Sequence, residues 1–289
     1  MVAAAGGAVL GSPGMDDAEL LAAFDSQIRR AGEEPPGFHL ERIDDPAPML
    51  WITPTGADAA WGGGVFWSEL DESNADAAIA AAVEWFRPRG REFEWKHYGY
   101  DRPADLPDRL RAAGFEPDEE EALIVGETAV VRDRLAGATE PEGITVRRLR
   151  EDAAGAAEDW EGVNELNRAV WGNDDSTDMH RAIAAAIAAD PRGTSMWLAV
   201  ADDGTVTCAA RANFHEGTDF ASLWGGSTLK EYRGRGIYKA LVARRADEAA
   251  ERGFRYLQVD ASPDSRPILE RLGLRTLAST TPWNWQPPS

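Results

Sequence analysis

The chain has a single cysteine, Cys208, among 289 residues, so no intramolecular disulfide can form and nothing in it marks an oxidising compartment. Val206, Thr207 and Ala209 around it make a strand-like setting, where a lone thiol behaves as a small buried hydrophobe. No His/Cys/Asp group has metal-ligand spacing and no Gly-x-Ser-x-Gly elbow occurs, so neither a metal centre nor a hydrolase-type serine is expected. No apolar run approaches membrane-spanning length. Residues 1–14 are rich in Ala and Gly, without a basic segment ahead of an apolar one, and read as a disordered tail rather than a signal peptide. A cytoplasmic protein with no membrane partner follows. Positive charge is scarce too: 30 Lys and Arg against 50 Asp and Glu leave a formal net charge of −20. Such a surface repels nucleic-acid phosphates and keeps the protein soluble, and it favours approach of a cationic amine.

What is present is the composition of a globular protein, 43% hydrophobic with eleven tryptophans, enough for a substantial core and for aromatic pocket walls. Apolar spacing predicts a helix over 16–30, short strands at 38–43, 49–53 and 64–67, an Ala-rich helix over 74–85, a strand at 91–100, a helix over 104–113 and a strand at 122–125. Residues 132–143 carry no apolar stripe and read as a linker between domains at 15–131 and 144–289. The second domain begins with a strand at 144–147 and helices over 156–170 and 178–189. Strands at 196–201 and 205–214 follow, joined through Asp202-Asp203-Gly204, a hairpin signal, and then a third strand at 220–229. A helix opens at Gly236 and closes at Gly253; a strand at 256–261, a helix over 266–271 and a Trp-containing strand end the chain. Leu110-Arg111-Ala112-Ala113-Gly114-Phe115 has a counterpart in Leu269-Glu270-Arg271-Leu272-Gly273-Leu274, each closing the same order of elements, which points to a tandem duplication.

The sharpest motif is Arg233-Gly234-Arg235-Gly236-Ile237-Tyr238, between a strand and a helix. Its glycines remove the Cβ atoms that would keep a diphosphate from the backbone. The helix start offers unpaired N–H groups and a positive dipole end. Arg233, Arg235 and Lys239 reverse the local charge of an acidic chain. No Gly-Lys-Ser/Thr follows and no parallel βαβ unit precedes, so neither a P-loop nor a dinucleotide fingerprint is present.

With these residues the stretch from Ile144 to about Trp285 resembles the GNAT superfamily of N-acetyltransferases, whose Arg/Gln-x-x-Gly-x-Gly/Ala pattern is met at Arg233 and Gly236 and imperfectly at Tyr238. The resemblance implies an α/β (α+β) fold of two GNAT-like domains, each a mixed, mainly antiparallel sheet flanked by helices. It implies acetyl-CoA, with its pyrophosphate on the amides of Arg235, Gly236, Ile237, Tyr238 and Lys239 beside Arg233 and Gly234. It places Thr228 and Leu229 at the thioester and pantetheine arm. Residues 15–131 resemble a second, degenerate copy: Glu69-Leu70-Asp71-Glu72-Ser73-Asn74 stands where the cradle belongs, acidic and without glycine. Tandem GNAT proteins with one worn-out copy, mycothiol synthases among them, share that layout.

Departures bear on the chemistry. By register Ser222 falls where many relatives place a general-base Glu, Leu269 where many place a general-acid Tyr, and Ser262 where many have Asn. Amine acylation needs a neutral nitrogen, a polarised carbonyl and a proton for the thiolate. Candidates for base are Asp219, Glu216, His215 and Asp260; Ser262 and Ser265 either relay a proton or cap a helix, with Ser265 also assigned to the cofactor; Tyr238 and Tyr256 are possible acids. Trp171, Trp197, Trp224, Trp283 and Trp285 are candidate walls of an acceptor pocket, with Trp171, Trp224 and Ser222 chosen as substrate contacts. The expected activity is acetyl-CoA-dependent N-acetylation of a small amine by a monomer or homodimer. The alternatives are transfer to an oxygen or a protein amine, and a non-catalytic acyl-CoA sensor.

Overall fold

The computed structural model describes residues 15–32, 34, 38–55, 62–172 and 176–287, with the main chain alone at 176–179. The tail at 1–14 lies outside the described residues. In chain order the elements are α1 (Asp17–Phe24, continued by a π-helical turn at Asp25–Arg29), β1 (Phe38–Ile43), β2 (Met49–Pro54), β3 (Gly64–Ser68), α2 (Ala75–Phe86), β4 (Phe93–Tyr98), α3 (Leu106–Ala112), β5 (Phe115–Pro117), β6 (Glu121–Glu127) and α4 (Thr128–Leu135). Then follow β7 (Ile144–Arg148), α5 (Ala153–Trp171), α6 (Ser176–Ala189), β8 (Thr194–Ala201), β9 (Val206–Phe214), β10 (Phe220–Thr228), α7 (Ile237–Glu251), β11 (Tyr256–Ala261), α8 (Arg266–Arg271) and β12 (Arg275–Trp285). The helix α4 extends through Leu135, so the first four residues read as linker are helical. Val131 and Leu135 are buried in the core that α7 and α8 cover, and Arg132 Nε bonds Asp247 Oδ1 at 2.8 Å. Only two apolar side chains are needed to hold so short a helix, too few for a periodic stripe.

The halves repeat one arrangement, a strand, a helix and a parallel strand: β3–α2–β4 and β10–α7–β11. They do not form separate sheets. The strands join in one 12-stranded sheet in the order β1-β2-β3-β4-β12-β6-β11-β10-β9-β8-β7, with β5 paired to β12 off this path. The last strand of each half is exchanged. β12 pairs with β4 from Thr280↔Tyr98 to Trp285↔Phe93, β6 pairs with β11 from Ala261↔Ala122 to Tyr256↔Glu127, and β6 and β12 pair with each other. Exchange removes an internal edge from each half, which would otherwise expose a row of unpaired backbone groups. Trp283 and Trp285 are consequently core residues of the N-terminal half, packed with Phe86, Phe93 and Phe115, and are not pocket walls. Trp197 likewise faces α7, where its indole N–H donates to Glu248 Oε2 at 2.8 Å.

The strand β7 is fixed to α5 by charge. Asp159, 2% exposed, accepts from Arg147 Nη1 and Nη2 at 2.7 Å each and from the Arg150 backbone and guanidinium. Burial alone would raise its pKa, but the hydrogen bonds from Arg147 and Arg150 bring it to about 2 from 3.8. A carboxylate with a depressed pKa contributes stability above its unfolded pKa, and that contribution is lost as the pH falls from about 4 toward 2. Replacing Asp159 with Ala takes the carboxylate from Arg147 and leaves Arg150 with Glu158 alone; both guanidinium groups are partly solvated, and a loss of about 1–3 kcal/mol is expected in urea unfolding at neutral pH. A loss below about 1 kcal/mol would show the pair to be no better than a surface ion pair.

Candidate active site

Two strands that part company make the site. β10 and β11 pair in parallel at Phe220↔Tyr256, Ala221↔Leu257 and Ser222↔Gln258 and no further. Beyond that point β10 stays with β9 as far as Thr228, and β11 stays with β6 as far as Ala261. The divergence has a local cause. Gly225 and Gly226 adopt φ values of +71° and +110°, and the register with β9 shifts between Gly225 and Ser227. Such a bulge bends its strand. Gly226 also has to be glycine for space, since an added Cβ would lie 2.5 Å from the Tyr238 ring. Arg245, 1% exposed, covers carbonyls at the bulge, donating to Arg211 O at 3.2 Å and Trp224 O at 3.5 Å. The facing edges of β10 and β11 beyond Ser222 and Gln258 have no ladder bonds to each other, so an extended ligand can meet backbone groups there.

From the tip of β10 the chain passes a 3₁₀ turn, Lys230–Tyr232, to the glycines. Gly234 and Gly236 have φ values of +76° and +83°, and nothing lies within 4 Å of a Cβ added at either. Gly236 is the N-cap of α7 and supplies no side-chain cap, so the first-turn N–H groups of a 15-residue helix face open space. Arg233, Arg235 and Lys239 are exposed around this opening. Arg233 Nε donates to Thr228 O at 3.2 Å and Arg235 Nη2 to Glu142 O at 2.8 Å, which holds the loop while leaving both charges outward. Ile237 is buried and anchors the helix start. Tyr238 turns its ring inward beneath Gly226, where burial raises its hydroxyl pKa, so its bulk does not obstruct the opening. Thr228 and Leu229 are partly engaged: the Thr228 hydroxyl donates to Cys208 Sγ at 3.1 Å and the Leu229 N–H to Thr207 O at 3.0 Å. The Cys208 thiol, pushed up by burial to about 11, is not a nucleophile.

The proton-transfer candidates separate by position. Asp219 lies at the closed end of the fork, where its carboxylate accepts from Gln27 Nε2 at 3.1 Å and its N–H donates to Gln27 Oε1 at 2.8 Å; it ties the π-helical turn after α1 to β10. Tyr256 is buried under α1 and donates to Met15 Sδ. Glu216 is exposed in the β9–β10 turn. Ser262 and Ser265 bond each other at 3.2 Å, and Ser262 O accepts from the N–H groups of Ser265 and Arg266, a turn that starts α8. Ser222 is 2% exposed and already bonded on both sides, so its hydroxyl does not reach a substrate directly.

Asp260 is differently placed. It is two residues past Gln258 on β11, as Trp224 is two past Ser222 on β10, so the two flank the opening of the fork on one face. A chain of hydrogen bonds leads to it: His215 Nε2 to Ser222 Oγ at 2.7 Å, Ser222 Oγ to Gln258 Oε1 at 2.7 Å, and Gln258 Nε2 to Asp260 Oδ1 at 3.2 Å. A carboxamide does not pass a proton along, so this chain orients Asp260 rather than conducting to it. The other oxygen, Oδ2, accepts from Tyr98 at 3.2 Å and pairs with Lys96 Nζ at 3.2 Å. Lys96 also donates to Glu121 Oε2 at 3.0 Å. Burial would lower the Lys96 pKa, but Asp260, Glu94 and Glu121 raise it above the ordinary value. Burial raises Glu94 and Glu121, and burial likewise holds Tyr98 well above the usual phenol range. Lys96 and Tyr98 belong to the N-terminal half, and sequence reasoning did not single them out. The available signal was the period-two run Glu94, Lys96, Tyr98, polar groups on one face of a strand whose other face carries Phe93, Trp95 and His97.

Trp171 and Trp224 are both exposed on this side, at 67% and 39%, and Trp171 Nε1 donates to Ser227 Oγ at 3.0 Å beside the bulge.

The family description "Acetyltransferase (GNAT) family" matches residues 160–274, a span that contains the fork, the glycine loop and α7. That stretch of the chain is similar to a GNAT domain. Solved structures extend the likeness across both halves. A GCN5-related N-acetyltransferase from Kribbella flavida superposes with a TM-score of 0.62 at 14% identity, covering 94% of this chain and 96% of its own. A tandem GNAT protein from the clavulanic acid biosynthesis pathway gives 0.61 at 17% identity over 88% and 85%. A GCN5-related N-acetyltransferase from Sphaerobacter thermophilus gives 0.57 at 15% identity over 86% and 84%. At these identities the likeness is one of fold. No curated protein sequence matches the chain. The likeness in fold spans both strand–helix–parallel-strand units, β3–α2–β4 and β10–α7–β11. Among the described residues no helix is long and apolar enough to cross a membrane, and no group of His, Cys, Asp and Glu is arranged to hold a metal.

Proposed function

We propose that this protein is an acyl-CoA-dependent N-acyltransferase, with acetyl-CoA as donor and a small amine as acceptor. The observation that carries the reading is the continuity between the β10/β11 fork and the uncapped glycine start of α7. A CoA pyrophosphate fits the open N–H groups at Gly236–Lys239, with Arg233, Arg235 and Lys239 outside it, and the pantetheine arm fits the unpaired strand edges. Bound there, acyl-CoA supplies the acyl group as an activated thioester. In this reading backbone N–H groups of the fork polarise the carbonyl, Trp171 and Trp224 bound the acceptor, and Asp260, whose side chain is 4% exposed and bonded at both oxygens, takes the proton released as nitrogen bonds to carbon through one intervening water. The Tyr98 hydroxyl beside it is the candidate donor to the departing thiolate.

The N-terminal half is proposed to be a non-binding copy. β3 and β4 pair at Gly64↔Glu94 and Val65↔Trp95 and then separate, repeating the fork. The loop before α2 satisfies itself, however. Asp71 Oδ1 accepts from the Ser73 N–H and hydroxyl and from the Asn74 N–H, and Asn74 Oδ1 accepts from the Asp71 N–H. A carboxylate already occupies the donors that a diphosphate would need, and its charge repels one. Its contribution is to the active site from below, through Lys96 and Tyr98.

Titrating acetyl-CoA into the protein is expected to raise Tm by several degrees at saturating ligand, and a thiol-release assay over an amine panel is expected to find an acceptor. Stabilisation without release for any amine, alcohol or peptide amine would identify an acyl-CoA sensor instead. No stabilisation at millimolar acetyl-CoA would overturn the donor site itself.

A further inference from the structure

Arg211 of β9 stands directly opposite Trp224 of β10, with its guanidinium 5.3 Å from the indole centroid. Among the described residues it has no carboxylate partner and no hydrogen-bond acceptor, although the chain carries 50 acidic residues against 30 basic ones. Other guanidinium groups are answered, Arg147 by Asp159, the buried Arg29 by Asp101 at 2.9 Å, and the buried Arg245 by backbone carbonyls of Leu241 and Arg211. Arg211 is half-buried and desolvated, which pushes its pKa down to about 10. Burial and the charge of Arg211 lower the pKa of His180, whose two nitrogens are bonded to Asn164 Oδ1 and Asn167 Nδ2 at 2.5 Å each. Two residues along β9 on the same face, the carboxamide oxygen of Asn213 is buried without a partner. A polar wall with an unanswered cation and an unanswered acceptor is costly unless a ligand completes it.

Its location gives the ligand its shape. Arg211 adjoins Trp224, and Trp224 borders the fork with Asp260 on the far side. An acceptor lying across the opening therefore meets a negative group where nitrogen must attack and a positive group on the opposite side. We infer that the acceptor is an amine that also carries a carboxylate, seated on Arg211 against the face of Trp224. The inference rests on the acyl-transfer reading above. Charge count favours a carboxylate over a phosphate: one guanidinium neutralises one negative charge, whereas a dianion would leave a net charge facing Asp260, Glu94 and Glu121.

Calorimetry on the CoA-loaded protein tests this with α-amino acids, β-alanine, γ-aminobutyrate and aminobenzoates, each against its methyl ester and carboxamide, and with phosphoethanolamine. At least one free carboxylate is expected to bind about 10-fold or more tightly than its ester, a preference lost in Arg211→Gln and partly kept in Arg211→Lys. If that amine is acylated, Arg211→Gln is expected to raise KM for it with little change in kcat, because the contact is equally present before and during reaction. Equal binding of acid and ester, retention of the preference in Arg211→Gln, tighter binding of phosphoethanolamine, or binding of none of the carboxylated amines would each overturn the proposal. Stabilisation of Arg211→Gln by CoA reports separately on the donor site: if wild-type protein and variant both fail to bind CoA, the acyl-transfer reading is what has failed.

Discussion

Valine at position 236 is expected to reduce acetyl-CoA affinity by about 100-fold or more, corresponding to about 3 kcal/mol, while leaving the protein folded. Two effects act together. Gly236 has φ +83°, and a β-branched residue is strained there by about 1–2 kcal/mol or leaves that conformation, turning the first N–H groups of α7 away from a common focus. The new side chain would also stand in the space that now holds nothing within 4 Å, where the diphosphate approaches the backbone. Strain alone is separable from loss of the cradle. Gly253, beyond the other end of α7, has φ +85° and the same open surroundings. Gly253→Val should therefore lose comparable Tm and keep its stabilisation by acetyl-CoA. If both variants retain that stabilisation, CoA does not bind at Gly236; if both lose it, the effect is a general weakening of α7.

The glycine loop was legible in the sequence because its requirement is local: positive φ, no Cβ and a helix start are fixed by a few adjacent residues. The order of strands and helices was legible for the same reason, as was the self-similarity ending at Gly114 and Gly273. The exchange of β6 and β12 was not. Residues 122–125 and 275–285 read as strands whichever neighbour they pair with, because alternation specifies which face is buried and not which strand lies alongside. The error over Trp283 and Trp285 follows directly from that: assigned to the C-terminal half by sequence, they complete the core of the other one.

The same blindness hid the chemistry of the fork. Asp260 was visible as a candidate, but its partners Lys96 and Tyr98 lie more than a hundred and sixty residues earlier and reach it only because the strands between them are shared. Ser222, which the resemblance set where a general-base Glu was expected, is hydrogen-bonded to Gln258, and Gln258 in turn to Asp260. Arg211 reads in sequence as one charged residue in a mostly apolar strand. That it has no carboxylate partner among the described residues is a fact of three-dimensional packing, which spacing along a chain does not record.

Replacing Lys96 with Met is expected to cost about 3–5 kcal/mol of stability at neutral pH and to lower acyl transfer by about 100-fold, with acetyl-CoA binding preserved. The ammonium is 9% exposed and faces Asp260, Glu121 and Glu94. Methionine fills most of its volume, so packing loss is small, and what remains is three acidic groups with their shared cation removed. The sign of the pH dependence follows. Without Lys96 the folded-state pKa values of Glu94 and Glu121, already raised by burial, rise further above their unfolded values, so the folded variant binds protons that the unfolded chain has released. Its stability penalty should then grow as the pH rises above about 4 and shrink on acidification, and urea unfolding at about pH 5 and about pH 7.5 reads the difference. Adding Asp260→Asn and Glu121→Gln to Lys96→Met should recover much of the stability but none of the activity, since the neutral cluster no longer presents a proton acceptor at the fork. A penalty unchanged between the two pH values would assign Lys96 a packing role, and full activity in the triple variant would remove Asp260 from the mechanism.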